Sequence, residues 1–344
     1  ALLARLLGPS SLGQYYEVVA WVLLIGSVVQ SGWVPFLVRE TATMAEFGKS
    51  SALVGMASLA IRTVGGLSVV AALSLIALAY LAYPASLHLF LIAAPVIVLL
   101  SLSLIWQAIV RGIGWTLLSQ VCETAVRPGV QLFAIGGFWF GIFQLDLTPA
   151  RAISVLLVAT AVSAAVAFVL ERQALAPFRA TTPGERPELG QWLRPLGQNA
   201  LIAWCMAANP QIATVILGSM ASDAETADFR IALQLSQLLS IGLVAVVATY
   251  ANEFSRCFAR DDMAGLQRLA WRASNFSLMI SIPIGLPFIL FGKPLIQGIF
   301  GPAYAGASVA LVILVVGQVA NAFFGAVTAI AIATRREAGA LGAH

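Results

Sequence analysis

The sequence predicts an all-α polytopic membrane protein, and three observations predict it. Only 10% of its 344 residues are charged while 60% are hydrophobic, against roughly 25% charged in soluble domains. A soluble globule of this length needs far more charge to cover its surface. The mean hydropathy of +0.92 is gathered into runs long enough to cross a bilayer core, which takes about 20 residues of helix. No stretch alternates with period 2 as barrel strands do, so backbone groups away from water must be paired within helices.

In chain order, nine apolar segments are expected to span: 16–38, 63–83, 87–110, 128–145, 152–170, 195–218, 231–251, 273–292 and 306–334. The first follows a polar turn, Gly8-Pro9-Ser10-Ser11, and ends on Arg39-Glu40. The run 51–83 would make a helix of about 50 Å, so Arg62 is expected to divide it, leaving Ser51–Ile61 as a surface or extended helical piece. The sixth segment carries Asn209-Pro210-Gln211 near its centre, and the eighth carries Pro283 and Pro287 one turn apart. Transporters break helices at such depths so that freed backbone lines a cavity; prolines also simply kink membrane helices, and both readings stand. Ser255–Arg272 reads as an amphipathic interfacial helix. Trp21, Trp33, Trp115, Trp139 and Trp271 fall mostly near span ends, as interfacial anchors do.

The opening unit has a weaker copy. Leu217-Gly218 begins a turn, Ala227-Asp228-Phe229-Arg230 stands where Gly13-Gln14-Tyr15-Tyr16 stood, and an apolar run follows towards Asn252-Glu253. A repeat at this spacing suggests two similar halves. The loop 171–194, with Pro177, Pro183, Pro187 and four arginines, reads as their link. The expected division is an N-terminal bundle at 1–172, a cytoplasmic linker at 173–194 and a C-terminal bundle at 195–344.

Basic residues set the expected orientation. Of 19 Lys and Arg, 15 lie in loops 39–62, 111–127, 171–194, 251–272 and the tail from 335, and 4 lie in the loops of the opposite face. By the positive-inside rule the first set, with the C-terminal tail, is cytoplasmic. Nine spans with a cytoplasmic tail place Ala1 outside, so the chain is expected to be a fragment lacking its first span and its last ones. Cys122, Cys205, Cys257, His88 and His344 show no CxxC or zinc spacing, and neither a disulfide framework, a metal nor a cofactor is expected.

Polar side chains inside spans are the candidate site. Gln234 and Gln237, and again Gln318 and Asn321, stand at i, i+3 and project from one helix face each. With Asn209 and Gln211 they face protein or water rather than lipid; hydrogen bonding between helices is the plainer reading. Arg230 lies just inside the outer end of the seventh span and Arg127 at the cytoplasmic end of the fourth. Topogenic or headgroup contact is the plainer role for each arginine. Glu17, Glu123, Asp146 and Asp228 lie towards span ends, so no acid is expected at mid-membrane, where a cation-coupled antiporter usually keeps one. Arg179, in the linker, is the expected silent position.

ARLLGPSSLGQYYEVVAW with a run ending VRE resembles the opening of bacterial polysaccharide flippases, the O-antigen and lipid-linked oligosaccharide translocases. RGIGWTLLSQVCETAVRP resembles that family's loop between its fourth and fifth helices, and FGPAYAGASVALVIL its outer glycine-tyrosine turn into a late helix. The family shares a superfamily with the MATE multidrug exporters and lipid II flippases. The resemblance spans essentially the whole chain, as helices two to ten. It implies a two-bundle (6+6) MATE-like fold around a central cavity of alternating access, in the bacterial inner membrane. The implied partners are a polyprenyl-pyrophosphate-linked oligosaccharide, membrane lipids and a coupling ion, with no nucleic acid. Arginine forks suit the pyrophosphate, and the amides suit sugar hydroxyls. The alternatives are a MATE-like multidrug or cation antiporter and, third, a polytopic glycosyltransferase or ligase. Against an enzyme stand short outer loops, no GxSxG or P-loop, and Asp261-Asp262, which on a helix diverge by about 100°.

Overall fold

The computed structural model describes residues 1–141, 146–179, 190–240, 262–333 and the single positions Tyr250, Glu253 and Cys257. Among them there is helix and no strand. The helices are α1 (Leu2–Gln30), α2 (Trp33–Glu46), α3 (Ser50–Ala82), α4 (Leu87–Gly112), α5 (Thr116–Val121), α6 (Arg127–Trp139), α7 (Pro149–Arg179), α8 (Gly190–Met220), α9 (Asp223–Ser236), α10 (Met263–Phe300) and α11 (Ala307–Ala333). Six of the described helical stretches are long and apolar enough to cross a membrane. They correspond to the expected spans beginning at 16, 63, 87, 152, 273 and 306. The expected spans 128–145 and 231–251 run partly outside the described residues, as do the linker and the second copy of the repeat. Span 195–218 lies within α8, whose 31 residues make a helix of about 46 Å.

The helix boundaries correct several expectations. The turn at Gly8–Ser11 shrinks to Gly8, whose φ of 74° and ψ of 169° kink an otherwise continuous α1. Only glycine takes such a dihedral without strain, and Pro9 then suits the first position of the resumed helix. Arg62 does not divide α3, which runs unbroken for 33 residues. Its side chain is exposed, and a long basic stem reaches the interface without interrupting the helix. Asn209-Pro210-Gln211 does not break α8 either. Proline removes one backbone donor, and the helix carries on past it; one turn later the Thr214 hydroxyl bonds back to the Pro210 carbonyl at 3.0 Å. In α10 the break falls at Phe291 (φ −122°, ψ 21°) rather than at Pro283 or Pro287. Pro294 follows three residues later, and its ring crowds the carbonyl four residues before it. The interfacial helix expected at 255–272 has, in its described part, become the first turns of α10, capped by Asp262, which accepts from the Gly265 amide at 2.7 Å. Trp33, expected as an interfacial anchor, is buried edge-on against Phe36.

The described residues pack as two compact units, Leu2–Asp223 and the residues from Ala224 onward. In the first, α4 is central, touching α1, α2, α3 and α7. Its closest partner, α7, buries Ala159, Thr160, Ser163, Ala164 and Ala167. Small residues at helical spacing let backbones approach where lipid supplies no hydrophobic drive. A π turn, Cys122–Val126, precedes Pro128, and the Ser163 hydroxyl donates to the Cys122 carbonyl at 2.9 Å. α8 lies antiparallel along α1. A Cβ on Gly13 would overlap the Asp223 carbonyl beyond the end of α8, and one on Gly32 would come within 2.8 Å of the Leu196 carbonyl near its start. In the second unit α10 packs along α11, and Ser274 donates to the Phe323 carbonyl at 2.8 Å. The outer faces are apolar, with Leu81 81% and Phe133 84% exposed, as a lipid-facing surface requires.

Candidate functional site

The eight residues singled out from the sequence divide between the two units. Arg127, Asn209 and Gln211 belong to the first; Arg230, Gln234, Gln237, Gln318 and Asn321 belong to the second. A single cavity lined by all eight therefore remains a proposal. Arg127 opens α6 and pairs with Glu123 one turn back, at 3.1 Å. Asn209 is exposed on α8; Gln211 is half-buried there, its Oε1 enclosed without a donor. Gln234 and Gln237 are exposed at the end of α9, where Gln237 begins a 3-10 turn. On α11 Gln318 is half-buried and Asn321 exposed. Arg230 is half-buried on α9. An apolar groove of about 430 Å³ between α3 and α4, lined by Val69, Leu73, Leu91, Pro95 and Val98 among others, has the character of a lipid-chain contact.

The structure adds residues that sequence reasoning passed over. Glu17, placed towards a span end, is 8% exposed where α1 meets α8. Its side chain lies across Gly218: a Cβ there would come within 2.9 Å of Glu17 Cγ and 3.1 Å of Oε1. Oε1 is buried and has no hydrogen-bond partner. The Tyr83 hydroxyl faces the carboxylate and Asp223 is close enough to act on it electrostatically. Tyr83 stacks edge-on with Trp21, centroids 6.5 Å apart. Asp223 is held in turn: Gln14 Nε2 donates to its Oδ2 at 3.0 Å, and Ser10 Oγ at 3.4 Å. The signal was present in the sequence. Ser10, Gln14 and Glu17 stand at i, i+4 and i+7, one polar stripe on a helix entering an apolar run.

Two other acids show how differently burial is compensated. Glu171 on α7 is 2% exposed, but Arg179 lies 3.4 Å from its Oε1. That pair gives Arg179, expected to be silent for transport, a part in folding. Asp228, on α9 before the apolar run from Ile231, sets its Oδ2 against Gly306, the residue preceding α11, so closely that a Cβ there would overlap it. Burial, with a smaller push from Glu225, raises its carboxyl to about 6.

No family model matches the sequence, and no curated protein is similar to it. A solved structure is similar: the inward-facing conformation of a multidrug resistance MATE family transporter of the MOP superfamily. It superposes with a TM-score of 0.70 at 14% identity, over 97% of this chain and 81% of that one. The fold is therefore that of a MATE-like polytopic all-α membrane protein. At this identity the likeness defines the fold alone.

Proposed function

We propose that this protein carries lipid-linked oligosaccharide from the cytoplasmic to the outer leaflet of a bacterial inner membrane by alternating access. The sugar-phosphate head travels a polar path through the helices while the lipid tail stays in the bilayer. One observation carries the transport part of this reading: the fold is shared, along 97% of the chain, with a solved membrane transporter. The substrate is supported by the flippase-like order of motifs and by side chains suited to a sugar phosphate. Asn209, Gln237 and Asn321 present exposed amides, and Gln234 is exposed on the same unit as Gln237. Exposed amides both donate and accept, as sugar hydroxyls require. Arg230 supplies positive charge for the phosphates, and Arg127 does so by way of the donors that its pair with Glu123 leaves over.

A second reading, a cation-coupled exporter of small molecules, is favoured by Glu17. A buried carboxylate with one oxygen lacking a donor is able to take up a proton or a cation, here towards a span end rather than at mid-membrane.

Reconstitution separates the two. Proteoliposomes holding a fluorescent short-chain lipid-linked saccharide are treated with a membrane-impermeant quencher, and parallel vesicles are loaded with ethidium under a proton or sodium gradient. Protein-dependent exposure of the saccharide without dye movement is expected. Gradient-driven dye movement with the saccharide static would replace the first reading by the second.

A further inference from the structure

A polar contact between distant parts of the chain lies away from the candidate amides. It lies where the start of α1 meets the end of α8, on the face that the loop charges assign to the outside. Three observations meet there. The backbones touch, since no Cβ fits between Gly13 and the Asp223 carbonyl. Two hydrogen bonds cross the contact to one carboxylate oxygen, from Gln14 at 3.0 Å and Ser10 at 3.4 Å, the first part-buried and the second exposed. Beneath them Glu17 is buried on Gly218 with one oxygen lacking a donor.

These features have opposite energetic signs. The clamp on Asp223 favours contact, because hydrogen bonds to a charged acceptor are the stronger kind. The enclosed Glu17 oxygen opposes it, because a buried polar atom without a partner regains water when the contact opens. A junction that served only to hold two helices together would be expected to fill this position with an apolar side chain, as α4 and α7 do with small ones. At the far end of the same helix pair Gly32 meets Leu196 and Ala200, a small-residue contact suited to a pivot.

We propose that this junction is a gate: Ser10 and Gln14 grip Asp223 to close one end of the helix pair, and Glu17 on Gly218 keeps the closed state from being permanent. The gate rests on the alternating-access reading above, and it assigns to Asp223 the role of latch. Interfaces with two discrete packings, balanced within a small free energy, are how such carriers change state.

Spin labels at Arg5→Cys and Met220→Cys, in the full chain freed of its native cysteines and held in nanodiscs, report the distance across the junction. A short distance should dominate in the parent. Asp223→Ala should raise the ratio of long to short distances roughly tenfold, the loss expected for a hydrogen bond to a charged group. Gln14→Ala should raise it in the same sense, and Glu17→Leu should lower it. Where Asp223→Ala is not monodisperse on gel filtration, the Ser10→Ala/Gln14→Ala double variant decides. Distances unchanged in monodisperse Gln14→Ala and in either Asp223→Ala or the double variant overturn the gate. The saccharide-flipping assay is run on the same samples. A shifted distance without flipping leaves the gate standing and removes the substrate reading; flipping with unshifted distances removes only the gate.

Discussion

Glu17 of α1 lies against Gly218 of α8 so closely that a single methyl group at 218 would sit 2.9 Å from Glu17 Cγ. Gly218→Ala should therefore destabilise the protein by about 1–3 kcal/mol, the usual cost of overpacking. Glu17→Ala should recover most of that loss in the double variant, because neighbours in contact are not additive. Thermal unfolding of the four proteins in detergent measures the coupling. Additive losses would mean that the two residues do not share the space.

Arg179 and Glu171 form the second relationship with a measurable consequence. Removing one partner of a buried pair strands the other, although Arg179 is 44% exposed and solvent screens part of the effect. Arg179→Ala should cost roughly 1–2 kcal/mol. Glu171→Gln in the same protein should restore stability. Lys49, exposed between α2 and α3, is the better silent control.

The Asp228 carboxyl carries a pH dependence. Its value in the folded protein is about 6 against a reference of 3.8, chiefly because burial disfavours the charged form. The nearby N-terminus of α11 works the other way without overcoming burial. A raised value means that the neutral form is favoured by folding, so the contribution is complete below about 4 and lost as pH rises through about 6. Asp228→Asn should match the parent at pH 4, exceed it in melting temperature at pH 7.5, and flatten the profile between. Parallel profiles for the two proteins would show that Asp228 is not the titrating group.

Arg230 tests the substrate side of the proposed function. Arg230→Ala should lower flipping per folded molecule about 10- to 100-fold, the loss of a charge-assisted hydrogen bond of about 1.5–3 kcal/mol. Arg230→Lys should retain part of it as a point charge without the fork. A fall in folded protein with unchanged flipping per molecule assigns Arg230 to packing instead.

Much of the fold is legible because the relevant properties are additive along the chain. Apolar length and the scarcity of charge are summed residue by residue, so an all-α polytopic protein follows from windows of about 20 residues. Helix interruptions are less legible. Arg62 and Pro210 sit in unbroken helices while Gly8 and Phe291 carry the kinks, because a membrane helix keeps its remaining hydrogen bonds unless the backbone itself is forced out of the α region.

The site divides along the same line. Sequence by itself determined which residues are able to act: the amides at i, i+3, the arginines and the acids, each fixed by side-chain chemistry and helical period. Tertiary structure alone decided which of them are compensated. Gln14 and Asp223 are separated by 209 positions and share a hydrogen bond; Glu17, three residues beyond Gln14, lies buried with one oxygen lacking a donor. Glu171 is just as buried, yet an arginine one helix end away answers it. Desolvation and pairing depend on neighbours in space, and those neighbours are chosen by helix packing, which the linear pattern does not record.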